Sequence, residues 1–231
     1  MRPYGIIVPT LVEAEILIRS IAEREEVVIQ GKPFHKGLLK DRPVVICLCG
    51  IGKTNAAHGA TLLLERFHPA FICVIGVAGA YPSAGLAIGD IVVGEKEIYG
   101  DEGLLLETGL ETMNTIGLPL IEIGTVHCFN EFPLHMPEEL RGHRHKGVFV
   151  TVSACTGTLK RGREIETRFG ALCENMEGAA VAHVCLLNDV RAAEIRGISN
   201  VIENRAGKPL DKSAIVEAAH KVQTFFLERM L

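Results

Sequence analysis

Short apolar runs rich in β-branched residues alternate along this chain with longer stretches whose apolar positions repeat at helical spacing. Residues 5–8, 44–48, 71–75, 91–93, 148–152 and 193–198 read as strands. Residues 11–24, 53–67, 159–169, 176–188 and 212–230 read as helices. The alternation predicts a single-domain α/β fold, a mostly parallel or mixed central sheet flanked by helices, in which a ligand collects at the carboxyl ends of strands. Residues 100–146 break the pattern with scattered Gly and Pro and weak periodicity, so they are expected to form an irregular excursion. No Pro-, Ser- or charge-rich stretch divides the 231 residues, which are read as one domain over 1–231.

A formal net charge of −4 with no Lys/Arg block argues against a nucleic acid or an anionic membrane as main partner, and for a small polar ligand. The apolar stretch at residues 4–9 is too short for a signal-peptide core or a membrane span, so a cytoplasmic protein is expected. Seven cysteines include no C-x-x-C pair, and Cys47, Cys49, Cys73 and Cys185 sit in apolar runs as expected of reduced core thiols. His135, His143 and His145 lack a Cys partner and i, i+4 spacing, and read as a solvated loop rather than a metal site.

The chemistry is sought at the strand ends. Thr10-Leu11-Val12-Glu13 fits a capping box, and equally places a carboxylate at the carboxyl end of the first strand. Cys49-Gly50-Ile51-Gly52-Lys53-Thr54 invites a phosphate-loop reading, but that motif needs Gly where Cys47 stands, and a tight glycine turn remains. Gly76-Val77-Ala78-Gly79 after the next strand allows close backbone approach to a ligand, or is a plain turn. Thr156-Gly157-Thr158 lies between a strand and a helix, where backbone groups are left unpaired.

The run from Glu174 to Cys185 is the most informative. Its helix is apolar almost all round and must be buried, so an acidic residue at its start needs a reason. Asn175 can cap it, and Glu177 in the first turn is favoured as a carboxylate by the helix dipole. Two acceptor oxygens suit a vicinal diol, although stabilising the dipole is a sufficient role in itself. His183, farther round, reads as a core histidine. Arg196 lies in a buried-looking strand and needs an anionic partner, for which Glu13 and Glu177 are the candidates. Asn200 ends that strand at the ligand edge, a place also common for turn residues.

Taken in order, Gly50-Ile51-Gly52-Lys53, Gly76-Val77-Ala78-Gly79, Gly89-Asp90-Ile91-Val92-Val93, Met176-Glu177 and Arg196-Gly197-Ile198-Ser199 resemble the purine nucleoside phosphorylase/nucleosidase superfamily. The spacing is most similar to its methylthioadenosine/adenosylhomocysteine nucleosidases. The resemblance covers most of residues 5–93 and 147–204, and leaves out 100–146. It implies cleavage of the bond between ribose and base in a purine nucleoside, without a cofactor, by a homodimer or higher homo-oligomer. It also implies that Glu13 positions and activates water, that Arg196 supports Glu13 and the water, and that Glu177 holds the 2′- and 3′-hydroxyls. Met176 would pack on the sugar, with Val77, Ala78, Gly79, Cys155 and Thr156 around the substrate.

Phosphorylases of the superfamily carry an Arg shortly before the glycine turn. Here the approach reads Ile72-Cys73-Val74-Ile75, with no cation, so water is the expected acceptor. Three further departures concern substrate choice. Asn200 stands where the methylthioadenosine enzymes have an Asp, Val77 replaces a Ser, and Cys155 replaces an aromatic residue. Departing adenine presents two donors, N7–H and the 6-amino group; departing hypoxanthine presents N7–H and an O6 acceptor, which one Asn amide matches. A 6-oxopurine nucleoside is therefore expected, against an adenine nucleoside, a phosphorylase of inosine-like nucleosides, or a non-catalytic nucleoside-binding protein as alternatives.

Overall fold

The computed structural model describes all 231 residues. In chain order the strands are β1 (Tyr4–Val8), β2 (Ala22–Ile29), β3 (Lys32–Leu39), β4 (Arg42–Leu48), β5 (Phe71–Ala80), β6 (Ile91–Tyr99), β7 (Gly103–Leu106), β8 (Gly109–Thr112), β9 (Ile121–Ile123), β10 (Val126–Cys128), β11 (Glu131–Pro133), β12 (Lys146–Thr151), β13 (Ala171–Asn175) and β14 (Ala192–Val201). The helices are α1 (Glu15–Ser20), α2 (Lys53–Phe67), α3 (Met113–Ile116), α4 (Leu159–Phe169), α5 (Gly178–Leu187) and α6 (Lys212–Arg229). Ten strands form one mixed sheet in the order β11-β6-β12-β13-β5-β1-β4-β3-β2, with β14 paired to both β5 and β6. The expected single-domain α/β architecture is thus present. No helix is long and apolar enough to cross a membrane.

Both faces of the sheet are covered, which is why its central strands read as unbroken apolar runs. Along β1, Ile6 and Val8 pack with Leu17 and Phe226 from α1 and α6. Ile7 between them packs on the other face with Leu63 of α2 and Val181 of α5. β5, β14, β6, β12 and β13 pair in succession and then β13 pairs back to β5, closing a ring. Ala78, Val92, Phe149, Cys173 and Ile198, one from each of its strands, form a buried cluster of their own.

Several elements differ from expectation. Helix 11–24 shrinks to the six residues of α1, because the chain from Ala22 onward becomes β2. That strand lies at the sheet edge and is largely exposed, so its Glu- and Arg-rich sequence carries no apolar alternation to mark it. Gly76-Val77-Ala78-Gly79 is not a turn but the second half of β5, and Asn200 lies within β14 rather than at its end. The segment before α5 is a strand, β13, and the helix starts at Gly178 instead of Met176. The excursion holds two small hairpins, β7-β8 and β9-β10, before β11 rejoins β6. His135, His143 and His145 are partly buried rather than solvated. The His143 ring bonds the Ile91 carbonyl at 2.8 Å and packs on Phe225, and His135 packs on Phe71.

Candidate active site

The carboxyl ends of β1, β5 and β14, the start of α5 and the segment after β14 enclose a cavity of about 420 Å³. This is large enough for a nucleoside-sized molecule. Glu13, Val77, Ala78, Gly79, Cys155, Thr156, Met176, Glu177 and Asn200 all line it; Arg196 does not.

Glu13 sits in the turn between β1 and α1, where its own N–H donates to the Thr10 carbonyl at 3.2 Å. No capping box forms, since α1 starts after Ala14 without a side-chain cap. Instead the Thr10 hydroxyl donates to Oε2 of Glu13 at 2.6 Å and the Val77 N–H to Oε1 at 2.9 Å. Burial raises the Glu13 pKa above the ordinary carboxylate value, against the opposing pull of those two bonds and of the Arg196 charge. A poised base results: fixed in orientation, and a stronger proton acceptor than an exposed glutamate.

Glu177 immediately precedes α5, outside its first turn. The N-cap is Glu177 itself, without a side-chain cap, rather than Asn175; from the end of β13 the Asn175 Oδ1 accepts the N–H groups of Glu177 at 2.9 Å and Gly178 at 2.7 Å and so holds the helix entry. Oε1 of Glu177 accepts the Gly52 N–H at 3.0 Å, at a turn where Gly50 and Gly52 adopt φ of 91° and 95°. Such angles favour glycine, and they aim that amide at the carboxylate. Oε2 faces both terminal nitrogens of Arg196 at 3.3 Å.

Arg196 lies behind this carboxylate, wholly buried. Its Nε donates to Glu194 Oε1 at 2.7 Å and its Nη1 to the Val77 carbonyl at 3.2 Å. Glu177 is thus one of the anticipated partners, while Glu13 feels the guanidinium only through space. Glu194, not anticipated, makes the shortest of the contacts. Close packing explains the glycine in β5: a methyl group on Gly76 would lie 2.5 Å from Arg196 Nη1 and 2.8 Å from Glu13 Oε1.

Asn200 reaches the cavity through an irregularity. β14 pairs Ile198 with Ala78 and then Asn200 with Gly79, so Ser199 is bulged out of register. The bulge turns Asn200 to the face shared by Val77 and Gly79. Ser199 Oγ stands 3.2 Å from the Ala78 carbonyl and 3.0 Å from Asn200 Oδ1. Also lining the cavity, Cys155 Sγ and Met176 Sδ are 3.5 Å apart. Thr156 is pinned through its N–H and hydroxyl to Glu174, at 2.7 and 2.6 Å. Burial raises the Glu174 carboxyl too. Glu194 was legible as a charged residue within an apolar strand, the criterion that singled out Arg196, whereas Glu174 lies in β13, which the sequence did not mark as a strand.

A family model described as the phosphorylase superfamily matches residues 3–229. The chain belongs to this family. It is 34% identical over 194 residues to the futalosine hydrolase of Thermus thermophilus, covering 80% of this chain and 82% of that protein. It is 31% identical over 212 residues to a 5′-methylthioadenosine/S-adenosylhomocysteine nucleosidase of Listeria monocytogenes, covering 90% of each. Among solved structures, the methylthioadenosine/adenosylhomocysteine nucleosidase of Neisseria meningitidis, in complex with methylthio-immucillin-A, superposes with a TM-score of 0.84. It is 20% identical and covers 100% of this chain and 99% of its own. The Streptococcus pneumoniae nucleosidase in complex with 8-aminoadenine gives the same TM-score at 23% identity, over 99% of this chain and 98% of its own. This chain is accordingly an enzyme of the N-glycosyl hydrolase kind.

Proposed function

We propose that this enzyme hydrolyses the N-glycosidic bond of futalosine, releasing hypoxanthine and dehypoxanthine futalosine in a route to menaquinone. The observation that carries this reading is Asn200, an amide turned into the cavity at the position where a base-protonating carboxylate would favour adenine. Its NH₂ group donates to O6 of a departing hypoxanthine, and its Oδ1 accepts N7–H. The combination of Thr151-Val152, Thr156-Gly157-Thr158, Glu174-Asn175-Met176-Glu177-Gly178 and Arg196-Gly197-Ile198-Ser199-Asn200 resembles futalosine hydrolase as a sequence, and the Thermus relative agrees.

In the proposed mechanism the C1′–N9 bond breaks with its electron pair going to the base, leaving an oxocarbenium-like sugar. Glu13 takes a proton from the water that adds its oxygen to C1′, while solvent water supplies the proton at N7. Glu177 accepts hydrogen bonds from the 2′- and 3′-hydroxyls, and both carboxylates stabilise the positive charge that develops on the ribose. Arg196 orients Glu177 from behind. The guanidinium packed against Gly76 is that of Arg196, already committed to Glu194 and Glu177, which supports water over phosphate as acceptor.

Chromatography of products after incubation with futalosine, inosine and methylthioadenosine, with and without phosphate, tests the assignment. Hypoxanthine from futalosine, independent of phosphate, is the expected result; preferential release of adenine, or phosphate-dependent turnover, would overturn it.

Glu177→Gln is expected to raise KM and lower kcat together, costing about 1.5–3 kcal/mol as the hydroxyls lose a charged acceptor. Steady-state kinetics on ribo- and 2′-deoxyribonucleosides check this, and equal activity on both in the parent enzyme would contradict the role. The carboxyphenyl ketone on the 5′ side of futalosine calls for a cation on the cavity rim. Arg205 and Lys208 line it and make no ion pair, alongside the apolar Leu210 and Ile215. The double replacement by Ala is expected to lower kcat/KM for futalosine about tenfold, in line with one half-buried and one exposed charge contact, with little effect on inosine. Equal losses on both substrates would remove these residues from recognition of the carboxylate.

A further inference from the structure

Glu97 and Glu194 line no part of the cavity, yet both are 0% exposed. Glu97 comes from β6, whose register against β12 jumps from Gly94 to Lys96 while β12 advances only from Gly147 to Val148. This bulge turns Glu97 to the inner face of the ring, beside Phe149. Glu194 shares that face of β14 with Arg196, two residues on. The two carboxyl groups meet beneath the first residue of α5: a methyl group on Gly178 would collide with Oε1 of Glu97 and with both oxygens of Glu194.

Adjacent carboxyl groups without access to water cannot both be ionised. The hydrogen bonds locate the charge and the proton. Glu97 accepts the Thr151 hydroxyl at Oε2 and the Asn175 side-chain NH₂ at Oε1. Glu194 accepts Arg196 Nε at Oε1, while its Oε2 has no partner. A proton on Glu97 directed at that oxygen satisfies it and leaves one negative charge against Arg196. Burial and mutual repulsion raise the Glu97 carboxyl, and burial raises Glu194. The other titratable groups acting on the pair are Arg196, Glu177, Cys73, Cys173 and Tyr99; burial keeps the thiols and the phenol uncharged, so Arg196 is the one cation.

Two chains of contacts lead from this pair to Glu177. Glu194 holds Arg196, which holds the Glu177 side chain. Glu97 holds Asn175 and Thr151, which accept the N–H groups of Glu177, Gly178 and Ala179. We propose that Glu97 and Glu194 share a single proton and act as positioning residues, fixing the backbone and the side chain of Glu177 at once. The kinetic consequence rests on Glu177 binding the ribose hydroxyls; the shared proton does not.

Glu194→Gln moves the charge to Glu97 and keeps each contact, whereas Glu97→Gln supplies an amide donor to Glu194 but sets its NH₂ against that of Asn175 at the Oε1 position. Glu194→Gln is therefore expected to retain at least a third of the parent kcat/KM, whereas Glu97→Gln, Glu97→Ala and Glu194→Ala raise KM, the alanines about tenfold. The double amide leaves Arg196 without its rear counter-charge. Its KM should rise by more than the product of the two single effects, and its preference for ribo- over 2′-deoxyribonucleosides should fall about tenfold. Infrared difference spectra without substrate, parent minus Glu97→Gln at neutral pH, should show the C=O band of a protonated carboxyl. Absence of the band overturns the shared proton whatever the substrate proves to be. A Glu194→Gln protein as damaged as Glu194→Ala, or additive amide effects, overturn the positioning role.

Discussion

Glu13→Gln is expected to cut kcat by a hundredfold or more while KM stays within a few-fold, the pattern of a lost general base. The substitution is unusually clean here. The amide that replaces the carboxylate keeps an oxygen to accept the Val77 N–H, and its NH₂ can donate to the Thr10 hydroxyl, which reverses its role from donor to acceptor. Shape and contacts survive, and the basic lone pair is lost. The same residue sets a pH dependence. Because burial raises the Glu13 pKa, the base is protonated and inactive up to a higher pH than an exposed glutamate would be. In the parent enzyme kcat/KM should fall as pH drops through a value above the ordinary carboxylate range, and Glu13→Gln should flatten that limb. Near-normal turnover in the variant, or an unmoved acid limb, would return Glu13 to a purely structural part in the β1–α1 turn.

Asn200→Asp should exchange the base preference. The new carboxylate sets an acceptor against O6 of hypoxanthine, and offers acceptors to the 6-amino group and N7–H of departing adenine. Ser199 Oγ, 3.0 Å from Oδ1, can donate to either side chain, so the local geometry is preserved. A site that hydrogen-bonds one pattern leaves buried groups unpaired with the other, so the ratio of kcat/KM values for a matched hypoxanthine and adenine pair should move by about 10²-fold or more. Futalosine and aminofutalosine form such a pair. An unchanged ratio in a folded variant would remove Asn200 from base recognition, and with it the main argument for a 6-oxopurine.

Most of the residues around the cavity were legible because they violate a local rule. Glu177 opens a helix with no polar face and Arg196 interrupts an apolar strand, while Gly76 and Gly79 were legible only as a close approach or a turn. Helices 53–67 and 159–169 emerged with their observed bounds, since each has a clear stop: His68 and Gly170 adopt the left-handed conformation at the ends of α2 and α4. What escaped was decided by register. Pairwise alternation counted from Ile91 puts Glu97 on the wrong face of β6, and the same count along β14 turns Asn200 away from Gly79; only the bulges at Glu95 and Ser199 correct them. A bulge depends on the partner strand, so neither segment announces it. β2 and β3 were missed for a different reason: they extend the sheet outward, and β2 buries none of its residues.

The strand that completes the ring is the last of all, residues 192–201. Until it inserts, the inner edge of β5 and the start of β6, residues 91–93, lack their partner strand, and neither Arg196 nor Asn200 is in place. During synthesis from the N-terminus, then, more than four-fifths of the chain must wait with two open sheet edges, a configuration prone to intermolecular pairing. Assembly of the core and assembly of the catalytic centre become the same late event. A chain released before β14 is made should be recovered as aggregate, with no partially active form between it and the finished enzyme.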